Sequence, residues 1–197
     1  MTITPETKSR LEAAGHEAAL SHIETLTDHK TPFGQIELLE IHRLIFARSW
    51  PDIAGRFRTE NVELARTSYI PPHWQQVPIL THQALGRLNY RLSTMNRDEV
   101  GAIVELAAEA HYNLAAIHPF RDGNGRVARL VLNYVFLYFE LPYVVIPSEK
   151  RDRYVDTLEA ANRGDLAPFT DLVAEQYERS LDQMLGQRPD QTSTSEE

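Results

Sequence analysis

Twelve consecutive residues, His118-Pro119-Phe120-Arg121-Asp122-Gly123-Asn124-Gly125-Arg126-Val127-Ala128-Arg129, gather a histidine, a carboxylate, two glycines and three arginines. A histidine side chain, with an ordinary pKa of about 6.5, suits His118 to take a proton from a hydroxyl near neutral pH. Glycines on either side of Asn124 free the backbone to curl, so that successive N–H groups can point at an anion beside the positive end of a following helix. Arg126 and Arg129 stand three apart, on one side of that helix, where their planar forks match phosphate oxygens. A carboxylate among phosphate-binding arginines makes chemical sense when a divalent cation bridges it to the phosphates, which assigns Asp122 to Mg²⁺. Singly, each residue has a plainer reading: a structural histidine before proline, a Gly-Asn-Gly turn, solvated arginines. Their contiguous order favours a nucleotide-phosphate site with its own base.

The rest of the chain must position this segment. Apolar residues recur at helical spacing around Glu6 to Leu26, and again from Ile36 to Phe46 after the Thr31-Pro32-Phe33-Gly34 break. Periodicity fails from Trp50 to Trp74, where Val62-Glu63-Leu64 and Ser68-Tyr69-Ile70-Pro71-Pro72 suggest a short β-hairpin or extended flap. Helical spacing returns through Ile79, Leu85, Leu88 and Leu92, then from Val100 through His111 and Leu114 to Ile117. Pro119 disfavours helical geometry at His118 and so ends that helix there, leaving the imidazole at a loop. A strongly apolar helix then runs from near Gly125 to Phe139 and is expected to be the buried centre. Helices over about Lys150 to Asn162 and Pro168 to Leu185 follow, before a polar tail from Gln187 to Glu197 that is expected to be disordered. The fold class is mainly α, a helical bundle around a central buried helix with a short hairpin flap.

With 197 residues, 24% charged and 42% apolar, the chain fits one soluble domain. A net charge of -8 disfavours a general nucleic-acid binder, which needs a basic stripe to release counterions. The absence of cysteine excludes disulfides, thiolate catalysis and cysteine-held zinc, and fits the reducing cytoplasm. The N-terminus has no apolar signal core, and Asn133, Glu140 and Pro142 interrupt the apolar run from Leu130 to Ile146 before it could span a membrane.

The His118 to Arg129 segment resembles the Fic family signature, and every position of that signature is filled. The likeness extends to Gly55-Arg56-Phe57-Arg58, to Tyr69-Ile70-Pro71-Pro72 and to the Tyr154 to Asp165 stretch, so that it covers roughly 36 to 185. It divides the chain into an N-terminal packing helix (1–30), a Fic domain (31–186) and the tail (187–197). What it implies is transfer of AMP from ATP to a serine, threonine or tyrosine hydroxyl of a target protein, with release of pyrophosphate. His118 would be the base, and Asp122 would hold Mg²⁺ against the phosphates. Gly123, Asn124 and Gly125 would cradle the oxygens, Arg126 and Arg129 would neutralise developing charge, and Phe120 would anchor the loop. Tyr154 and Asn162 would lie near the adenosine. Val62, Leu64, Ser68 and Ile70 of the flap would pair with an extended target segment through main-chain hydrogen bonds.

Many relatives carry an inhibitory helix in which a glutamate, four residues after a serine or threonine, pairs with the second arginine of the signature. Here Ser9-Arg10-Leu11-Glu12 has the wrong spacing, and Thr192 to Glu196 has the right spacing but continues into Glu197 within the tail. The expectation is therefore an Arg129 free of such a glutamate, with restraint supplied by a separate antitoxin-like protein or by none. Two further readings stay open: transfer of another phosphate-bearing group or removal of AMP, and a nucleotide-binding regulatory module without turnover. The other histidines, His111 among them, are expected to be core or solvent residues.

Overall fold

A computed structural model describes residues 4–64 and 67–186; the tail from Gln187 onward lies outside the described residues. Among the described residues seven α-helices carry the architecture: α1 (Pro5–Asp28), α2 (Gln35–Phe46), α3 (Val77–Thr94), α4 (Val100–Ile117), α5 (Asn124–Tyr138), α6 (Arg151–Asn162) and α7 (Ala167–Gly186). Their starts follow local chemistry. The Thr4 hydroxyl accepts from the Thr7 N–H ahead of α1, with Pro5 in the first turn, and the Glu37 carboxylate reaches back to the Gly34 N–H at 2.8 Å to close the start of α2.

Helix α5 is the centre. Leu130, Val131, Leu132, Tyr134, Val135 and Phe136 are all at most 1% exposed, so beyond its first turns this helix is buried on every side, as a core helix must be. It packs against α4 along its length and against α1 and α2 on another face, while α7 closes over α4 with Phe169, Leu172 and Val173. The Asn133 side chain bonds both the N–H and the carbonyl of Val144, which binds the chain after α5 back onto the core.

Helix α1 approaches α2 closely at Gly15. A Cβ there would lie 2.4 Å from the Leu44 carbonyl oxygen, so only glycine permits this crossing. Through it α1 joins the same core, with Ala19, Ile23 and Leu26 buried, and its N-terminal half passes beside the start of α5. Among the described residues no helix is long and apolar enough to cross a membrane.

The segment between α2 and α3 forms no α-helix among its described residues, as its broken periodicity implies, and ends in one 3-10 turn at Trp74–Gln76. None of its described residues is a strand, so the expected β-hairpin is not formed there: Pro71 and Pro72 lack the N–H groups a ladder needs, and two irregular arms remain, with burial alternating along Asn61 to Leu64 and along Thr67 to Ile70. Its ends are pinned by polar side chains: Asn61 accepts from the Trp74 N–H at 3.0 Å, and Arg58 bonds the carbonyls of Glu60 and Pro72.

Candidate active site

Helix α4 ends at His118 in the left-handed conformation, φ 52° and ψ 60°, rather than in the extended geometry that a following proline favours. A β-carbon makes this conformation uncommon, so neighbouring bonds must hold it. The His118 N–H bonds the Leu114 carbonyl at 2.9 Å, and its own carbonyl accepts from Arg58 Nε at 2.8 Å. The half-buried imidazole lies with Nδ1 3.2 Å from the Ala115 carbonyl oxygen. A carbonyl can only accept, so Nδ1 carries the proton and Nε2 keeps its lone pair. Burial, opposed by the Ala115 contact and assisted by the Arg58 charge, lowers the His118 pKa and favours this neutral form.

The next residues make a tight bend into α5. The Asn124 side chain is buried and closes a ring, its Oδ1 accepting from the Phe120 N–H at 2.8 Å and its Nδ2 donating to the Phe120 carbonyl at 2.8 Å. Both groups of the Asn124 amide are thereby engaged with the loop itself, so its backbone N–H is the group it offers to an anion. Gly123 has φ 83°, and a Cβ there would lie 2.4 Å from Phe46 Cε2. Gly123→Ala is expected to lower stability by about 2–4 kcal/mol, combining left-handed strain with a steric clash, which thermal unfolding would measure.

The first α5 bond runs from the Val127 N–H to the Gly123 carbonyl, which leaves the N–H groups of Asn124, Gly125 and Arg126 at the helix start. Asp122 is half exposed; its Oδ1 accepts from the Gly123 N–H at 2.6 Å, and its Oδ2 is 4.0 Å from Arg126 Nη2. Among the described residues no three acidic, histidine or cysteine side chains cluster closely enough to cage a metal ion. A cation held by one carboxylate and completed by substrate phosphates, as Mg²⁺ commonly is, suits this single acid.

Arg126 and Arg129 have different surroundings. Arg126 stacks on Phe46, 4.6 Å from the ring centre, and its Nη1 lies 2.7 Å from Glu12 Oε2. Glu12 is held in turn by the Ser49 hydroxyl at 3.2 Å and by Lys8 at 3.8 Å. Arg129 has no carboxylate partner among the described residues; its guanidinium reaches toward Gly125 and the Tyr154 hydroxyl. Burial and the charges of Arg129 and Arg126 lower the pKa of His16, on the same side of α1.

Tyr154 and Asn162, both on α6, face α4. The Tyr154 hydroxyl is 3.1 Å from His111 Nε2, and the Tyr112 hydroxyl donates to Asn162 Oδ1 at 3.3 Å. His111 is wholly buried and held neutral, its pKa lowered to about 3 by burial and by the Arg129 charge. In the flap, Val62 and Leu64 are half-buried whereas Ser68 and Ile70 are exposed, and Ile70 is 84% accessible.

Three supporting residues escape the sequence reading. Glu12 reaches Arg126 across 114 positions. Arg58 reaches His118 across 60. His42 is fully buried, stacks on Phe120 with centroids 3.9 Å apart, accepts the Gly55 N–H at Nδ1 and contacts the Asp122 carbonyl at 3.1 Å through Nε2. Burial lowers its pKa to about 4, so the neutral ring donates from Nε2 and fixes the bend at Asp122.

The profile of the Fic/DOC family matches residues 32–136, which include His118, the bend and most of α5. The chain belongs to the Fic/DOC family. Within it, the protein adenylyltransferase Fic of Culex quinquefasciatus is 37% identical over 175 residues, 88% of this chain and 34% of that protein. The protein adenylyltransferase fic-1 of Caenorhabditis elegans is 34% identical over 179 residues, 89% of this chain and 34% of its relative. The chain thus spans about a third of the length of these curated relatives. Among solved structures, C. elegans Fic-1 superposes with a TM-score of 0.74 at 33% identity, covering 91% of this chain and 52% of that one. A Fic-domain signalling protein from Bacteroides thetaiotaomicron gives 0.78 at 26% identity, covering 89% and 70%. The Fic-type helical bundle is therefore the fold of this family member.

Proposed function

We propose that this chain transfers AMP from ATP to a hydroxyl side chain of a target protein, and the observation that carries the reading is the fixed tautomer of His118 beside the open N-terminus of α5. His118 Nε2 takes the proton of a serine, threonine or tyrosine hydroxyl. The freed oxygen bonds to the α-phosphorus, the bond from that phosphorus to the bridging oxygen breaks, and pyrophosphate leaves. The N–H groups of Asn124, Gly125 and Arg126 receive phosphate oxygens, and Arg126 and Arg129 offset the charge that develops on them. Asp122 would hold Mg²⁺, which supplies Lewis-acid stabilisation of the phosphates when bound. Tyr154 and Asn162 border the adenosine, and the flap arms pair with an extended target strand. Residues 31–186 form the transfer domain, and the 1–30 helix supplies the Glu12 carboxylate that occupies Arg126 in the absence of nucleotide.

Support for this reading comes from the named activity of the Fic relatives and from an intact base, loop and arginine pair. The test uses ATP labelled at the α- or the γ-phosphate, incubated with the protein and a cell lysate. Transfer of α-label alone supports the proposal, γ-label transfer indicates phosphoryl transfer instead, and transfer of neither favours a binding module. In the same assay Asp122→Ala is expected to lose most transfer together with its response to added Mg²⁺; a wild-type rate would contradict the role of Asp122.

A further inference from the structure

Arg58 is 4% exposed, and no carboxylate pairs with it among the described residues. The nearby acid, Glu60, directs its carboxylate to Arg121 at 3.7 Å and leaves only its carbonyl to Arg58. A buried cation without a counter-ion is costly unless its donors are satisfied, and here they are satisfied by backbone. Nε donates to the His118 carbonyl at 2.8 Å, Nη1 to the Glu60 carbonyl at 2.9 Å, and Nη2 to the Pro72 carbonyl. The Arg58 N–H adds a bond to the Pro119 carbonyl at 2.9 Å.

These acceptors belong to two parts of the site that are distant in sequence. Glu60 and Pro72 bracket the flap, whereas His118 and Pro119 are the left-handed exit of α4. We propose that Arg58 is a positioning residue that locks the flap roots and His118 into one frame, so that a target strand paired to the flap presents its hydroxyl to the base. This inference rests on the AMP-transfer reading for its functional consequence, but the mechanical coupling stands on the geometry alone.

A rigid fork is needed for this. Lysine keeps the charge but presents donors from a single point, so it cannot span the three carbonyls. The experiment compares wild type with Arg58→Lys and Arg58→Gln by three measurements: Mg-ATP binding by calorimetry, α-label transfer to lysate proteins, and hydrogen exchange by peptide. Transfer is expected to fall about 100-fold in both variants, the scale of a misplaced reacting group, with the ATP dissociation constant unchanged. Amides of 60–64, 67–73 and 116–121 are expected to exchange faster together, while those of α6 and α7 keep their wild-type rates. Faster exchange in the flap with 116–121 unaffected would overturn the coupling, as would wild-type transfer by Arg58→Lys. Loss of ATP binding with faster exchange across every helix would reduce Arg58 to a general fold support and overturn it as well. If wild type itself moved no α-label, the AMP-transfer reading would fail, and the exchange patterns would still decide whether Arg58 couples the two segments.

Discussion

His118→Asn is expected to reduce the proposed AMP transfer by about 10²–10⁴-fold, the usual contribution of a positioned general base. Asparagine is the informative replacement because it tolerates the left-handed backbone that His118 adopts, so a loss of rate is not a loss of fold. Calorimetric binding of Mg-ATP should persist in this variant. The wild-type pH profile should report the same group. Burial lowers the His118 pKa below its ordinary value, and the base works only when neutral. Activity therefore holds through neutral pH and falls only as the pH drops through that lowered value, on the acid side of where an exposed histidine would titrate. In His118→Asn the acid limb due to this group should vanish.

Arg126→Ala is expected to cost about 10²–10³-fold in transfer, the loss seen when one charge-stabilising donor is removed from a reacting centre. Glu12→Ala should act in the opposite direction. Its carboxylate lies 2.7 Å from Arg126 with only 14% of its side chain exposed, so nucleotide must displace a largely desolvated ion pair. A charge-assisted bond of this kind is worth about 1.5–3 kcal/mol, and the 26% exposure of the Arg126 side chain places the expected gain in apparent ATP affinity at the lower end, about ten-fold. Because both effects pass through one guanidinium, they should not add: Glu12→Ala on an Arg126→Ala background should change nothing. Calorimetry with Mg-ATP on the four proteins of this cycle measures the coupling.

The helices and the loop were legible in the sequence because each announces itself locally. Gly34, Pro119 and the periodic apolar residues mark helix ends and faces within a turn or two, and α4 runs from Val100 to Ile117, as its spacing implies. The loop was legible for the same reason, its histidine, carboxylate and arginines being contiguous. What escaped is non-local. Glu12 misses the spacing of an inhibitory motif and pairs with Arg126 rather than Arg129, a contact created by the close α1–α2 crossing at Gly15. Arg58 and His42 act on carbonyl oxygens, and a backbone acceptor leaves no trace in residue types. Asn124 reads as a phosphate ligand by position, yet the tightness of the bend commits its amide to Phe120.

The central claim is that a hydroxyl activated by His118 attacks the α-phosphorus of ATP. The most direct measurement is tandem mass spectrometry of proteins from a lysate treated with wild type and, in parallel, with His118→Asn. An AMP adduct on serine, threonine or tyrosine, present with wild type and absent with the variant, is the predicted result. A phosphoryl adduct in its place, or an AMP adduct formed equally by His118→Asn, would contradict it.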